Sequence, residues 1–200
     1  TAPAGAIDVR WTDRDVILVR QGLATANAAG GVYSFGVDFP IPGSGTPPVV
    51  VPDRRAWNVV EVAKSGQWYR VFETHMEIQE IPTPPGVPPY ILQLVQAGML
   101  VEGEVVTRRV ANPMPTVVVG DFNSQGELAN PTDPRRTTYN YLSGLMPFPD
   151  LGVPALAPLV GATSPLKDAW LALGNTGSSG LTFGFGPDLT TGTMSQRIDL

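Results

Sequence analysis

The sequence predicts an α/β chain built on mixed sheets, and three observations carry that reading. Glycine (22) and proline (21) together make about a fifth of the 200 residues, so the chain is cut into short elements, which argues against a helical bundle. Several short runs have strand-like composition. Residues 90–106 (YILQLVQAGMLVEGEVV) carry apolar side chains near helical spacing and feed 116–119 (TVVV), a continuous apolar run. A helix leading into a strand of that kind belongs to an α/β arrangement rather than an all-β module.

Taken in order, 6–11 (AIDVRW) and 15–20 (DVILVR) are β-like runs, with Thr12-Asp13-Arg14 a turn between them. Residues 31–39 (GVYSFGVDF) read as a strand, and 40–48 (PIPGSGTPP) must be a loop, because proline cannot donate to a ladder. Residues 57–62 and 68–74 are two more strands, joined by the hairpin signal Lys64-Ser65-Gly66. Residues 81–89 (IPTPPGVPP) form a second proline-rich loop. Along the predicted helix 90–106, Leu92, Val95, Met99 and Val106 mark the apolar side, and Gln93, Gln96 and Glu102 are expected on the surface. Pro113 and Pro115 end it. The run 116–119 is expected to be a strand buried on both faces. Beyond it, 137–145 and 166–173 are short helix candidates, 147–165 is mostly loop, and 181–185 and 196–200 are strand candidates.

Hydrophobic residues (42%) and charged residues (16%) are in globular proportion, and the length suits one hydrophobic core. The net charge of -5 and pI of about 4.8 exclude a general basic field for nucleic acid, so a phosphate substrate needs a cation or a few arginines. With no cysteine, disulfides and thiolate metal sites are excluded, and the compartment stays open. No apolar run reaches the length of a membrane span, and the start of the chain lacks the pattern of a signal peptide. No protein partner is inferable.

Three segments can carry chemistry. Gly120-Asp121-Phe122-Asn123-Ser124 follows the apolar run, which places Asp121 and Asn123 at the carboxyl end of a strand, where open α/β sheets put their sites. A carboxylate and an amide two residues apart suit orienting a water and holding a phosphate oxygen or a hard cation. Both residues equally suit a turn. Phe72-Glu73-Thr74-His75-Met76-Glu77 ends a strand on the one histidine of the chain, a natural acid or electrophile near neutral pH, although a lone histidine is more often structural. Ser195-Gln196-Arg197-Ile198-Asp199-Leu200 puts Asp199 two residues after Arg197, and by itself reads as an exposed terminal strand. The pairs Arg54-Arg55, Arg108-Arg109 and Arg135-Arg136 are candidate phosphate clamps, although paired arginines are usually solvated surface.

In this order, Thr74-His75-Met76-Glu77, Gly120-Asp121-Phe122-Asn123-Ser124 and Arg197-Ile198-Asp199 resemble the motifs of the endonuclease/exonuclease/phosphatase superfamily, the family of DNase I-like enzymes. Weaker echoes, including Asp168-Ala169-Trp170, resemble its bacterial members and extend the resemblance over nearly the whole chain. The resemblance implies a four-layered αββα sandwich of mixed sheets and a metal-dependent phosphoesterase that hydrolyses phosphodiesters or phosphomonoesters with an activated water. It implies that Asp121 orients or deprotonates the water and that Asn123 contacts the phosphate. Asp121 and Asn123 would help hold Mg²⁺ or Mn²⁺. His75 would stabilise the transition state or protonate the leaving oxygen, Asp199 would support a further histidine, and Arg197 would bind substrate.

Two departures accompany these roles. The family's metal-binding Glu belongs to a Q-E strand upstream of every matched motif, and Gln79-Glu80 has the letters but follows His75. The family's final Asp-His pair should follow Asp199. The resemblance therefore implies that residues 1–200 are the interior and C-terminal-side portion of one domain, incomplete at both ends. Nucleic acid, nucleotide and lipid headgroup stay open as substrates. The alternative function is a catalytically incomplete binding or scaffold module of the same fold. A further alternative is an unrelated β-sandwich that binds sugars through Trp11, Trp57 and Trp68.

Overall fold

A computed structural model of the chain describes residues 14–79, 88, 90–176, 180–186 and 190–200. The predicted strand 6–11, most of the turn at 12–14, Glu80 and nearly all of the loop 81–89 lie outside the described residues.

The chain adopts the predicted α/β class with mixed sheets. Its centre is a four-stranded sheet made, in spatial order, of β1 (Ala24–Val32), β4 (Ala56–Lys64), β5 (Gln67–His75) and β6 (Thr116–Asp121). Strands β1, β4 and β5 pair antiparallel, and β6 joins β5 in parallel. The β4–β5 hairpin forms because Ser65 (φ 53°) and Gly66 (φ 79°) both take the left-handed conformation that a tight two-residue turn demands. Two small antiparallel pairs flank the main sheet: β2 (Val37–Pro40) with β3 (Val50–Asp53), and β7 (Phe183–Phe185) with β8 (Gly192–Gln196).

One face of the sheet is covered by a continuous helical run. It begins as α1 (Ile91–Gly98), widens to a π-helix (Met99–Val106) and closes as α2 (Thr107–Ala111). Leu94, Ala97, Leu100 and Val101 of this run pack with Val59, Phe72, Met76 and Phe122 from the sheet and its ends. Gly98 lets Phe148 approach, since a Cβ there would stand 2.7 Å from its ring. Two short helices follow, α3 (Thr137–Leu142) and α4 (Ala169–Ala172).

Several expectations are corrected. Residues 15–20 form no strand, and Leu18 is 90% exposed. The edge of the sheet is instead taken by β1, whose Ala-, Asn- and Gly-rich sequence gives little strand signal and is held by its pairing with β4. The single strand expected over 31–39 divides into β1 and β2, because Tyr33 turns inward and its hydroxyl bonds the Thr74 hydroxyl at 2.8 Å. Gln93 and Gln96 are fully buried rather than on the surface, since both bond loop backbone. The strand over 116–119 is covered on one face only. Val118 packs on the core, whereas Val117 and Val119 are exposed at 47% and 40%. They face a cavity of about 1030 Å³ that Trp170 and Leu200 also line. Trp57 packs against the core rather than standing exposed.

Candidate active site

The site starts from the parallel register of β5 and β6, which sets His75 beside Asp121 as the last pair of the ladder. The β6 backbone comes this close because residue 120 is glycine. Its φ is 145°, and a Cβ would lie 1.9 Å from the Thr74 carbonyl oxygen. On the other side of β6, the amide of Phe122 donates to Ile198 O, and Gly120 and Leu200 exchange backbone hydrogen bonds. Asp199 is thereby bridged antiparallel to Asp121. His75, Asp121 and Asp199 thus lie in one row across three neighbouring segments.

His75 Nε2 is 3.6 Å from Asp121 Oδ2, and both side chains are about one-third exposed. Asp121 Oδ1 accepts the backbone N–H of Asn123 at 2.8 Å. Asn123 does not continue the strand. Its φ is 50°, and its side-chain amide donates to Met76 O at 2.9 Å. Strand end and turn are therefore both realised, and Asn123 points back across the gap between β5 and β6 rather than parallel to Asp121. Burial raises the Asp121 carboxyl above its ordinary range, and the nearby Asp199 charge adds to this. The Asn123 amide, His75 and Arg55 act in the opposite direction without cancelling it.

Arg55, named above as half of a candidate phosphate clamp, and Gln93, expected on the surface, complete the surroundings. Arg55 places Nη1 3.2 Å from His75 Nδ1 and 3.3 Å from Nε2, and its Nη2 reaches Glu77 Oε1 at 3.3 Å. Of the three arginine pairs, Arg55 is the member that touches a site residue, whereas Arg54, Arg108 and Arg135 pair with Asp38, Glu104 and Asp133. Its contact with His75 spans 20 positions, which no local pattern announces. Gln93 donates to Glu77 O and Asn123 O, joining the loops after β5 and β6.

Arg197, expected to contact substrate, is buried. It donates to Asp168 Oδ2 at 2.7 Å and lies over the Tyr139 ring, so its charge is engaged in packing the C-terminal segment. Asp199 is exposed beside Asp121, with its own N–H directed to Thr182 Oγ1.

A hard divalent cation takes oxygen ligands, and Mg²⁺ is commonly held by one or two carboxylates while keeping several waters. The described donors here are the Asp121 and Asp199 carboxylates and the Asn123 side chain. Asp121 Oδ1 accepts from the Asn123 N–H, and the Asn123 amide nitrogen donates to Met76 O, so a cation would be met by Asp121 Oδ2 and by the Asn123 side-chain oxygen. Among the described residues no three His, Asp or Glu side chains converge as a metal-binding group. Asp121 and Asp199, with the side-chain oxygen of Asn123, are the described groups that would hold such a cation, with waters completing its shell.

No family model and no curated protein matches the chain. Among solved structures it is similar to truncated Caenorhabditis elegans TDP2, with 18% identity, 90% of this chain and 52% of that one covered, and a TM-score of 0.43. It is similar to the human Nocturnin catalytic domain with bound sulfate, with 16% identity, 60% and 35% covered, and a TM-score of 0.33. It is also similar to a Staphylococcus aureus beta toxin, with 16% identity, 42% and 27% covered, and a TM-score of 0.31. The chain spans about half or less of the length of each of these structures. Likeness at these scores assigns no activity to it.

Proposed function

We propose that the protein hydrolyses a phosphoester bond with an activated water. The carrying observation is the His75–Asp121 pair at 3.6 Å on the last rung of a parallel ladder, with a carboxyl that burial makes more basic. A base with a raised pKa is better suited to take a proton from water. In the proposed step the water oxygen bonds to phosphorus as its proton passes to Asp121, and the phosphorus–oxygen ester bond breaks. His75 gives its Nε2 proton to the departing oxygen. Asn123 holds the loop beside them, Arg55 orients the His75 ring, and Asp199 adds negative charge that favours protonation of Asp121. Arg197 acts at a distance, by holding the segment that carries Asp199.

The test is hydrolysis of bis-p-nitrophenyl phosphate and of plasmid DNA, with Mg²⁺ or Mn²⁺ and without either. Asp121→Ala and His75→Ala are each expected to lower kcat by about 10²–10⁴. Equal activity in the wild type and both variants would remove these residues from the reaction. A folded protein with no hydrolysis under any condition would favour a binding or scaffold module. Loss of activity without cation, restored by adding it, would establish the metal dependence implied by the sequence motifs.

A further inference from the structure

The ladder between β5 and β6 ends where Met76 N donates to Asp121 O at 2.9 Å. Past this point the two chains separate into loops, and the backbone at Glu77 and Asn123 needs other partners. One buried side chain meets the carbonyl of each. Gln93 donates through Nε2 to Glu77 O at 2.9 Å and to Asn123 O at 2.8 Å, while its Oε1 accepts from Gln79 Nε2 at 2.9 Å. Both amide hydrogens are thus in use, and so is the carbonyl oxygen.

We propose that Gln93 is a positioning residue for hydrolysis, one that fixes the spacing between the loop following His75 and the loop carrying Asn123. The inference rests on the phosphoesterase reading above. Asn123 is a non-glycine residue at φ 50°, a conformation that persists where its surroundings over-determine it. Its N–H is taken by Asp121 and its side chain by Met76, both within the two strands and their ends. Gln93 provides the hold on its carbonyl, and does so from helix α1. That helix is anchored by Leu94 and Ala97, and the π-helical stretch that continues it by Leu100, all fully buried, so it is a rigid reference for both loops. The residue type follows from the geometry. Asparagine is one methylene shorter, an ionised glutamate donates nothing, and methionine has neither donor nor acceptor of comparable strength. Gln96 divides the task differently, accepting from Glu77 N at 2.8 Å and donating to Phe35 O at 3.1 Å, so it holds only the His75 side.

The experiment compares wild type, Gln93→Met and Gln93→Glu by steady-state hydrolysis of bis-p-nitrophenyl phosphate and by residue-resolved amide hydrogen exchange. The methionine variant keeps the length of the side chain. The glutamate variant keeps its shape and the acceptor for Gln79 but removes the donors to Glu77 O and Asn123 O, and hydrogen exchange on whichever variant folds reads the hold on Asn123. Misplacing reacting groups lowers kcat, so a fall of about ten- to a hundred-fold is expected, with KM within about two-fold of wild type. The Asn123 amide should exchange at least about ten-fold faster, while amides in β4 stay protected. Wild-type kcat together with wild-type exchange at Asn123 overturns the proposal. So does a uniform loss of protection through β4 and β5, which would give Gln93 a general structural role. If the wild-type protein hydrolyses nothing, the hydrolase reading fails on its own, and the exchange at Asn123 still decides whether Gln93 sets that loop.

Discussion

His75 and Asp121 face each other because a parallel strand pair ends on them in register, with 3.6 Å between Nε2 and Oδ2. The carboxylate is partly withdrawn from water and has Asp199 as a neighbour, so its pKa is raised. A group whose folded pKa exceeds its unfolded value stabilises the fold below the unfolded pKa, and that contribution is lost as pH rises through the folded pKa. Asp121→Asn keeps an oxygen to accept the Asn123 N–H but carries no charge. It is expected to be inactive, and to be more stable than wild type at neutral pH. The difference should vanish below the ordinary aspartate range. Urea denaturation at several pH values checks this, and a variant less stable than wild type at neutral pH would contradict it.

Arg55 joins His75 to Glu77, whose side chain is almost entirely buried. Removing one partner of a buried ion pair leaves the other charge without compensation. Arg55→Met should therefore lower stability by about 3 kcal/mol. Adding Glu77→Gln should return much of that loss, since the stranded charge is then gone. A double-mutant cycle by denaturant unfolding measures the coupling, and strictly additive effects would show that the pair is not coupled.

How much of this could be read beforehand differs from element to element. The β4–β5 hairpin was legible because apolar runs flank a Ser65-Gly66 turn whose conformation those residue types favour. Helix α1 was legible from its apolar spacing, and GDFN announced a strand end. Strand β1 was not, because Ala24–Val32 owes its conformation to hydrogen bonds with β4, a partner distant in sequence. Gln93 and Gln96 suit a helix surface by residue type, because glutamine on a helix usually meets water. Their burial follows from the unpaired carbonyls and amides of two loops, which exist only once the strands have paired. The π-helical stretch widens the helix around Met99–Val106, and periodicity at 3.6 residues cannot register it. Arg197 and Asp199 were placed together by spacing, yet the fold turns one inward to Asp168 and leaves the other beside Asp121.

Gly120 sits at φ 145°, where side chains are rarely tolerated, and its Cβ position is occupied by the Thr74 carbonyl. Gly120→Ala should force β6 away from β5 and lower stability by well over about 1 kcal/mol. It should also lower activity beyond what the unfolded fraction explains, because the His75–Asp121 spacing depends on that approach. Denaturant unfolding and kcat on the same preparation separate the two effects. A variant with wild-type stability would mean that the strands can part without cost.

Asp168 ties helix α4, Tyr139 and Arg197 together. Its Oδ1 caps helix α4 by accepting Trp170 N at 2.9 Å and Leu171 N at 3.2 Å. Its Oδ2 accepts Tyr139 Oη at 2.8 Å and Arg197 Nη2 at 2.7 Å. Burial alone would raise this carboxyl, but the Arg197 and Tyr139 hydrogen bonds outweigh it and hold the pKa below the ordinary range. A lowered folded pKa gives stability that is present above the unfolded pKa and lost as pH falls through the folded one. Asp168→Asn leaves Arg197 buried against Tyr139 without its counter-charge, so the loss at neutral pH should be about 3–5 kcal/mol. That gap should narrow in acid, where the wild-type carboxylate is itself protonated. Arg197 precedes Ile198 and Asp199, which pair with β6, so the same substitution should loosen the hold on Asp199 and lower activity as well. Urea denaturation across the acid range tests the first part. A constant gap between wild type and Asp168→Asn at every pH would show that the charge of Asp168 contributes nothing to the fold.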